Sequence, residues 1–165
     1  MTRAVLSLGS NLGDRLGFLR LAVTGLRDVL EKVSPVYETA PWGVTDQPDF
    51  LNAVVIVRSP STDEWGWLAR GQELEKAAGR VREQRWGPRT LDVDVVTVDG
   101  VTSDHPDLLL PHPGTPDRAT VLIPWLAIEP DAALPGHGPV RSLLAALPEN
   151  DRADVHERED LTLGG

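Results

Sequence analysis

Between Leu91 and Val98 the chain reads L-D-V-D-V-V-T-V. Apolar and acidic residues alternate there with period two, the repeat of a β-strand with one face in a core. Leu91, Val93 and Val95 take the buried face. Asp92 and Asp94 share the other, about 7 Å apart along the strand. Like charges side by side cost stability unless a cation offsets them, and a pair of hard oxygen donors suits Mg2+. A half-buried strand with a solvated acidic face gives the same pattern, and D-x-D alone favours that plainer reading.

The residues just ahead change the balance. Arg80, Arg82, Arg85 and Arg89 precede the two aspartates in a chain whose formal net charge is -9. Guanidinium groups fork onto phosphate oxygens, and arginine beside paired carboxylates is equipment for moving a phosphoryl group from a nucleotide. A charge run is otherwise usually a solvated face, here with Glu83 as partner. Arg85-Trp86-Gly87-Pro88-Arg89 is poor helix material, so these side chains are expected on a loop.

A length of 165 residues reads most simply as one domain, spanning residues 1–148. Residues 149–165 are mostly charged, with little to bury, and are expected to form a loose tail. The absence of cysteine excludes a disulfide framework and a thiolate zinc site. Ala4–Leu8 is too short an apolar run for a membrane span or a secretory segment, so the cytoplasm is the expected location. A pI near 4.8 argues against nucleic acid as a partner, but leaves room for a small anion at a local site.

Ala4–Leu8 reads as a buried strand ended by a turn at Gly9-Ser10-Asn11. Asp14 caps a helix expected to run to about Lys32. Val33–Thr39 reads as a strand, 40–50 as irregular, and Phe50–Val57 as a strand. Thr62 or Asp63 caps a second helix to about Ala78, with Gly79 as its stop. After the strand ending at Val98, Asp99-Gly100 signals a hairpin into Val101, and prolines stiffen 104–117 as a loop. Residues 119–126 are compatible with helix or strand, and Arg141–Leu147 with a short helix. This order predicts an α+β, ferredoxin-like α/β sandwich: an antiparallel-dominated sheet with two main helices on one face.

Other residues stand out. Phe50 and Asn52 share a strand face, and an aromatic with an amide suits a flat heterocycle with a hydrogen-bonding edge. Phe50 is equally a core residue. His112 lies between Pro111 and Pro113, which fix its backbone, with Arg118 six residues on; the pair suits a phosphate, although a lone histidine is more often structural. Gly9-Ser10-Asn11 is read as a plain turn, since neither G-x-x-x-x-G-K-[ST] nor G-x-G-x-x-G is present. Trp65, Trp67 and Trp125 are assigned to packing.

Read together, these residues resemble the 6-hydroxymethyl-7,8-dihydropterin pyrophosphokinases of folate biosynthesis. The matching text is Leu8-Gly9-Ser10-Asn11-Leu12-Gly13-Asp14, Val36-Tyr37-Glu38-Thr39, Gln47-Pro48-Asp49-Phe50-Leu51-Asn52-Ala53, Gln72 with Glu75, Gly79-Arg80-Val81-Arg82, the W-G-P-R-x-L-D-x-D run from Trp86 to Asp94, Pro111-His112-Pro113 and Arg118. The resemblance implies an enzyme that moves pyrophosphate from ATP to the pterin hydroxymethyl group, with AMP leaving. It implies two Mg2+ ions on Asp92 and Asp94; no general base stands out in the sequence, and Asp94, which could accept the proton, is assigned first to the metal. Arg80 and Arg89 would stabilise charge on the transferred group, while Arg82, His112, Pro113 and Arg118 hold the triphosphate. Leu68, Gln72, Glu75, Trp86 and Val95 would surround the nucleoside. Thr39, Ala40, Trp42, Phe50, Asn52, Trp86 and Thr120 would form the pterin pocket. The mobile loops of the family match residues 10–16, 40–50 and 80–90, and a monomer is expected.

One departure is chemical. Many members carry an aromatic residue at the position of Thr120, stacked on the second face of the pterin. A lost stack is worth about 0.5–1.5 kcal/mol beyond area burial, and Trp42 is a possible substitute. Two other function classes share some features. A polymerase-beta-like nucleotidyltransferase also pairs Gly-Ser with D-x-D, at a shorter interval, and would release pyrophosphate instead of AMP. A non-enzymatic ferredoxin-like metabolite-binding module would release neither.

Overall fold

The computed structural model describes residues 2–39, 49–79 and 90–163. Strand β1 (Thr2–Ser10) lies in the middle of the sheet, antiparallel to β4 (Phe50–Ser59) on one side and to β5 (Asp92–Val98) on the other. β2 (Leu30–Val33) and β3 (Tyr37–Thr39) follow one another along the far edge of β4, and β10 (His156–Glu157) pairs with β3 outside it. Among the described residues this sheet has six strands and every pairing is antiparallel.

Alternation decides which face each side chain joins. Leu6 and Leu8 of β1, Ala53 and Val55 of β4, and Val93 and Val95 of β5 are buried beneath α1 (Arg15–Gly25) and α2 (Glu64–Ala77). Val5, Val54, Ile56 and Val96 point the other way, onto α3 (Ala119–Ile128) and α4 (Val140–Ala146). Two main helices on one face is therefore the observed arrangement, and the second face carries α3 and α4 over part of its area. Each buried Val or Leu contributes about 1.5–3 kcal/mol, so the sheet is fixed from both sides.

The helix ends follow the sequence signals. The Asp14 carboxylate accepts the Gly17 N–H at 3.0 Å and that of Asp63 accepts Gly66 N–H at 2.8 Å. Gly79 closes α2 with φ of +73°, the left-handed conformation glycine adopts without strain. Asp99-Gly100 forms the expected turn, bridging Val98 to Val101.

Several expectations are corrected. α1 stops at Gly25, because Leu30–Val33 are taken by pairing with β4; local helical spacing yields to the sheet. Gly9 and Ser10 belong to β1 and make no turn. Residues 104–117 include the hairpin β6 (Ser103–His105) and β7 (Leu108–Leu110) and a 3-10 turn, Thr115–Asp117. Residues 119–126 are helical. The short hairpin β8 (Ala133–Leu134) and β9 (Gly138–Pro139) precedes α4. The segment expected to be a loose tail carries α5 (Glu149–Ala153) and β10, and Leu163 is buried in the main core. A few apolar positions, Leu161 and Leu163, suffice to hold it because the sheet edge supplies backbone partners. Trp67 and Trp125 are packed, as read, but Trp65 is 40% exposed, with its ring edge-on to His105 at 4.9 Å. No described helix is long and apolar enough to cross a membrane.

Candidate active site

Register builds the site. Gly9 of β1 is opposite Asn52 of β4 on one side and Asp92 of β5 on the other, and Asn52 is itself opposite Tyr37 of β3. Tyr37, Asn52, Gly9 and Asp92 thus form one row across four strands. The next row places Ser7 between Val54 and Asp94. With strands about 4.8 Å apart, Asn52 and Asp92 are separated by about 10 Å across the sheet. All of these side chains are on the α3 side, since Val54, Ile56 and Val96 continue the same alternation into that core.

Gly9, itself buried, occupies the middle of the row. A Cβ there would lie 3.4 Å from Asn52 Oδ1 and 3.5 Å from the Phe50 ring. The sequence reading missed this role; the signal was a glycine inside a strand pattern, which marks a close approach to the backbone. Phe50 and Asn52 share a half-buried face, as expected. Asn52 Nδ2 donates to Thr39 Oγ1 at 2.8 Å, which turns Oδ1 toward Gly9.

Asp92 and Asp94 are half-buried on a strand whose alternate residues, Val93 and Val95, are buried. The strand expectation is thereby met. Both neighbours across β1, Ser7 and Gly9, are small. The described residues hold no group of three His, Cys, Asp or Glu that could bind a metal. A pair of carboxylates still fits Mg2+, which keeps several waters and completes its shell with substrate phosphates.

The outer edge of β5 carries the next group. The His112 N–H donates to the Val96 carbonyl at 2.9 Å, which attaches Pro111-His112-Pro113 to the strand. His112 Nδ1 accepts the Gly114 N–H at 3.3 Å, so the proton of the neutral ring is on Nε2. Burial pushes the His112 pKa down, Arg118 pushes it further, and Asp92 opposes them. Arg118 and Asp92 are each within electrostatic reach of His112. Gly114 leaves space for Arg118: a Cβ there would be 3.0–3.2 Å from the guanidinium.

Leu68, Asp94, Val95, His112 and Pro113 line a cavity of about 210 Å³ together with residues 106–109. These are five of the expected nucleotide and metal residues, drawn from α2, β5 and the loop after β7. Gln72 is exposed on α2 and does not line it. Glu75 is buried, and its Oε2 accepts the Val93 N–H at 2.9 Å. Thr120 is half-buried at the start of α3. Ala40, Trp42, Arg80, Arg82, Trp86 and Arg89 lie outside the described residues, as does much of the stretches 40–50 and 80–90.

Residues 5–130 match the family model for 7,8-dihydro-6-hydroxymethylpterin-pyrophosphokinase. The 2-amino-4-hydroxy-6-hydroxymethyldihydropteridine pyrophosphokinase of Mycobacterium tuberculosis H37Rv is 51% identical over 94% of this chain and 89% of its own length. The protein of the same name from Bacillus subtilis is 41% identical over 76% of this chain and 77% of its own. The fold resembles that of Plasmodium falciparum HPPK-DHPS crystallised with pteroate, with a TM-score of 0.67 at 14% identity, over 87% of this chain. This chain spans 44% of that longer one, and at this identity the likeness speaks for the fold alone. By the match over residues 5–130 and by relatives of this similarity, the chain belongs to the 7,8-dihydro-6-hydroxymethylpterin-pyrophosphokinase family.

Proposed function

We infer that the chain transfers pyrophosphate from ATP to 6-hydroxymethyl-7,8-dihydropterin in folate biosynthesis and releases AMP. The observation that carries the assignment to this site is the row Asn52–Gly9–Asp92. It sets a hydrogen-bonding amide and a carboxylate about 10 Å apart, with a side-chain-free residue, Gly9, between them. That span suits a flat bicyclic ring lying over Gly9, with its polar edge at Asn52 and its hydroxymethyl group toward Asp92. Phe50 offers one apolar face to the ring and Thr39 holds the amide of Asn52.

The hydroxymethyl oxygen forms a bond to the β-phosphorus of ATP as the bond from that phosphorus to the α,β-bridging oxygen breaks. The hydroxyl proton passes to solvent water, and AMP leaves with the bridging oxygen. Leu68 and Val95 supply apolar surface for the nucleoside, while His112 Nε2–H and the Arg118 guanidinium donate to the phosphates. A His112 ring held neutral still donates through Nε2 and adds no charge of its own. Asp92 and Asp94 would hold Mg2+, which when bound neutralises phosphate charge and orients the reacting groups. Arg80, Arg82, Trp86 and Arg89 complete the proposal from sequence alone, with Ala40 and Trp42 at the pterin and Gln72 and Glu75 near the nucleoside. The protein acts as a monomer in the cytoplasm in this reading.

The test is incubation with ATP, Mg2+ and the hydroxymethyl dihydropterin, with both products measured. AMP and the pterin pyrophosphate in equal amounts are expected. Release of pyrophosphate with a nucleotidylated product would instead favour the polymerase-beta-like nucleotidyltransferase.

A further inference from the structure

Glu38 is the middle residue of β3, on the face turned toward α1, and two distant arginines hold it. Arg15 Nη1 is 2.7 Å from Oε2, and Arg158 Nη1 is 3.0 Å from Oε1. The same Nη1 of Arg15 donates to the Asp49 carbonyl at 2.9 Å. One guanidinium at the start of α1 therefore joins residue 38 to residue 49, on the two sides of the stretch 40–48. On the opposite face, the next residue, Thr39, accepts the Asn52 amide.

β3 has only three residues, too few to stay in place through one neighbour. β4 borders it inside; β10 borders it outside, pairing His156 with Glu38 and Glu157 with Tyr37. The Arg158 N–H extends this edge to the Val36 carbonyl at 2.8 Å. The Arg158 side chain is oriented by both carboxylate oxygens of Asp160, at 3.0 and 2.8 Å. Leu163, buried in the main core, anchors the end of the segment.

We propose that the C-terminal strand and Arg158 are a positioning element of the pterin pocket: through Glu38 they hold β3, and with it Thr39, against Asn52. The proposal rests on the reading of Thr39 and Asn52 as pterin contacts. Among the described residues, the Arg158 side chain bonds only to Glu38 and Asp160 and to no residue of the proposed site, yet binding groups must be held to within about 0.5 Å to work. The sheet order also makes the effect selective. β10 and β3 form one edge and β5 the other, so Leu68 on α2, which packs on β5, and His112, bonded to β5, lie away from this brace.

The full chain carrying Arg158→Ala, Arg158→Lys or Asn52→Ala is titrated with the pterin in the presence of Mg2+ and a non-hydrolysable ATP analogue, and separately with the analogue. Arg158→Ala should weaken pterin binding by about twofold to fivefold, the range for losing a partly screened ion pair. Analogue affinity should stay unchanged, and Arg158→Lys, which keeps a charge facing Glu38, should recover most of the loss. A lower melting temperature with unchanged pterin affinity overturns the proposal, and so does equal weakening of both ligands. If Arg158→Ala does not fold, Glu38→Gln is read by the same criteria. Unchanged pterin affinity in Asn52→Ala would sink the pocket assignment and the brace with it. Loss of affinity there, with none in Arg158→Ala, sinks the brace only.

Discussion

Glu75 on α2 accepts the backbone N–H of Val93 at 2.9 Å, in the interior beside the residue that separates Asp92 from Asp94. β5 is an edge strand, and this carboxylate satisfies an amide that points away from β1. The bond fixes the strand height at which both aspartates stand. Resemblance assigns Glu75 to the nucleoside; the structure adds this support of the D-x-D strand.

Glu75→Ala would strip a buried amide of its partner, at a cost of about 2 kcal/mol. For a chain of this size that is roughly 4–8 °C in melting temperature. Glu75→Gln keeps an acceptor at the same place and should restore most of the loss. Thermal unfolding of the two variants checks this; equal losses in both would mean that the charge of Glu75, not its acceptor, matters.

Asp92→Asn and Asp94→Asn should each lower turnover by about 10³-fold, the several kcal/mol that a bound metal supplies. Mg2+ should raise the melting temperature of either variant less than that of the unchanged chain, because a metal held by the folded state stabilises it in proportion to its affinity. Assays of AMP release over a Mg2+ series, with unfolding scans, measure both. Near-normal turnover in either variant would remove the metal role.

Gly114→Ala places a methyl group 3.0–3.2 Å from the Arg118 guanidinium, so that side chain has to move by a few tenths of an ångström. ATP affinity should fall by about threefold to tenfold, the loss of part of a charge-assisted contact, with pterin affinity unchanged. His112→Ala should act on the same quantity. Fluorescence titration with an ATP analogue reports the effect.

Thr120→Phe should tighten pterin binding by up to about tenfold through a recovered ring stack. Thr120 is half-buried at the start of α3, the helix that covers the face on which Phe50 and Asn52 stand. Calorimetric titration with the ATP analogue present decides the matter. Weaker binding would mean that Trp42 already covers the second face of the ring.

Acid should loosen β3. The Arg15 hydrogen bond, reinforced by Arg158 and opposed by desolvation, holds the Glu38 carboxyl below the usual range. The folded chain then binds fewer protons there than the unfolded chain. The stability contributed is complete above the unfolded value, about 4.3, and is lost as pH falls through the lower folded one. Between about pH 5 and pH 3, the melting temperature of Glu38→Gln should fall less than that of the unchanged chain. Identical slopes would show that other carboxylates carry the acid sensitivity.

The sequence by itself determined what is local. Alternation in Leu91–Val98 specifies a strand and the shared face of Asp92 and Asp94, Asp14 and Asp63 specify helix starts, and Gly79 specifies a stop. Each depends on residues within a turn or a strand repeat of one another, so the information is contiguous. The W-G-P-R-x-L-D-x-D run and its companions also sufficed to name the family, because a substrate's charges dictate residue types directly. The tertiary structure alone decided the rest. Gly9 read as a turn until register set it between Asn52 and Asp92, and Leu30–Val33 read as helix until β4 claimed their backbone. Residues 156–163 looked too polar to fold, yet pairing with β3, the Arg158–Glu38 ion pair and the burial of Leu163 hold them. These outcomes rest on pairings between residues tens of positions apart, where the gain comes from a partner that no local pattern encodes.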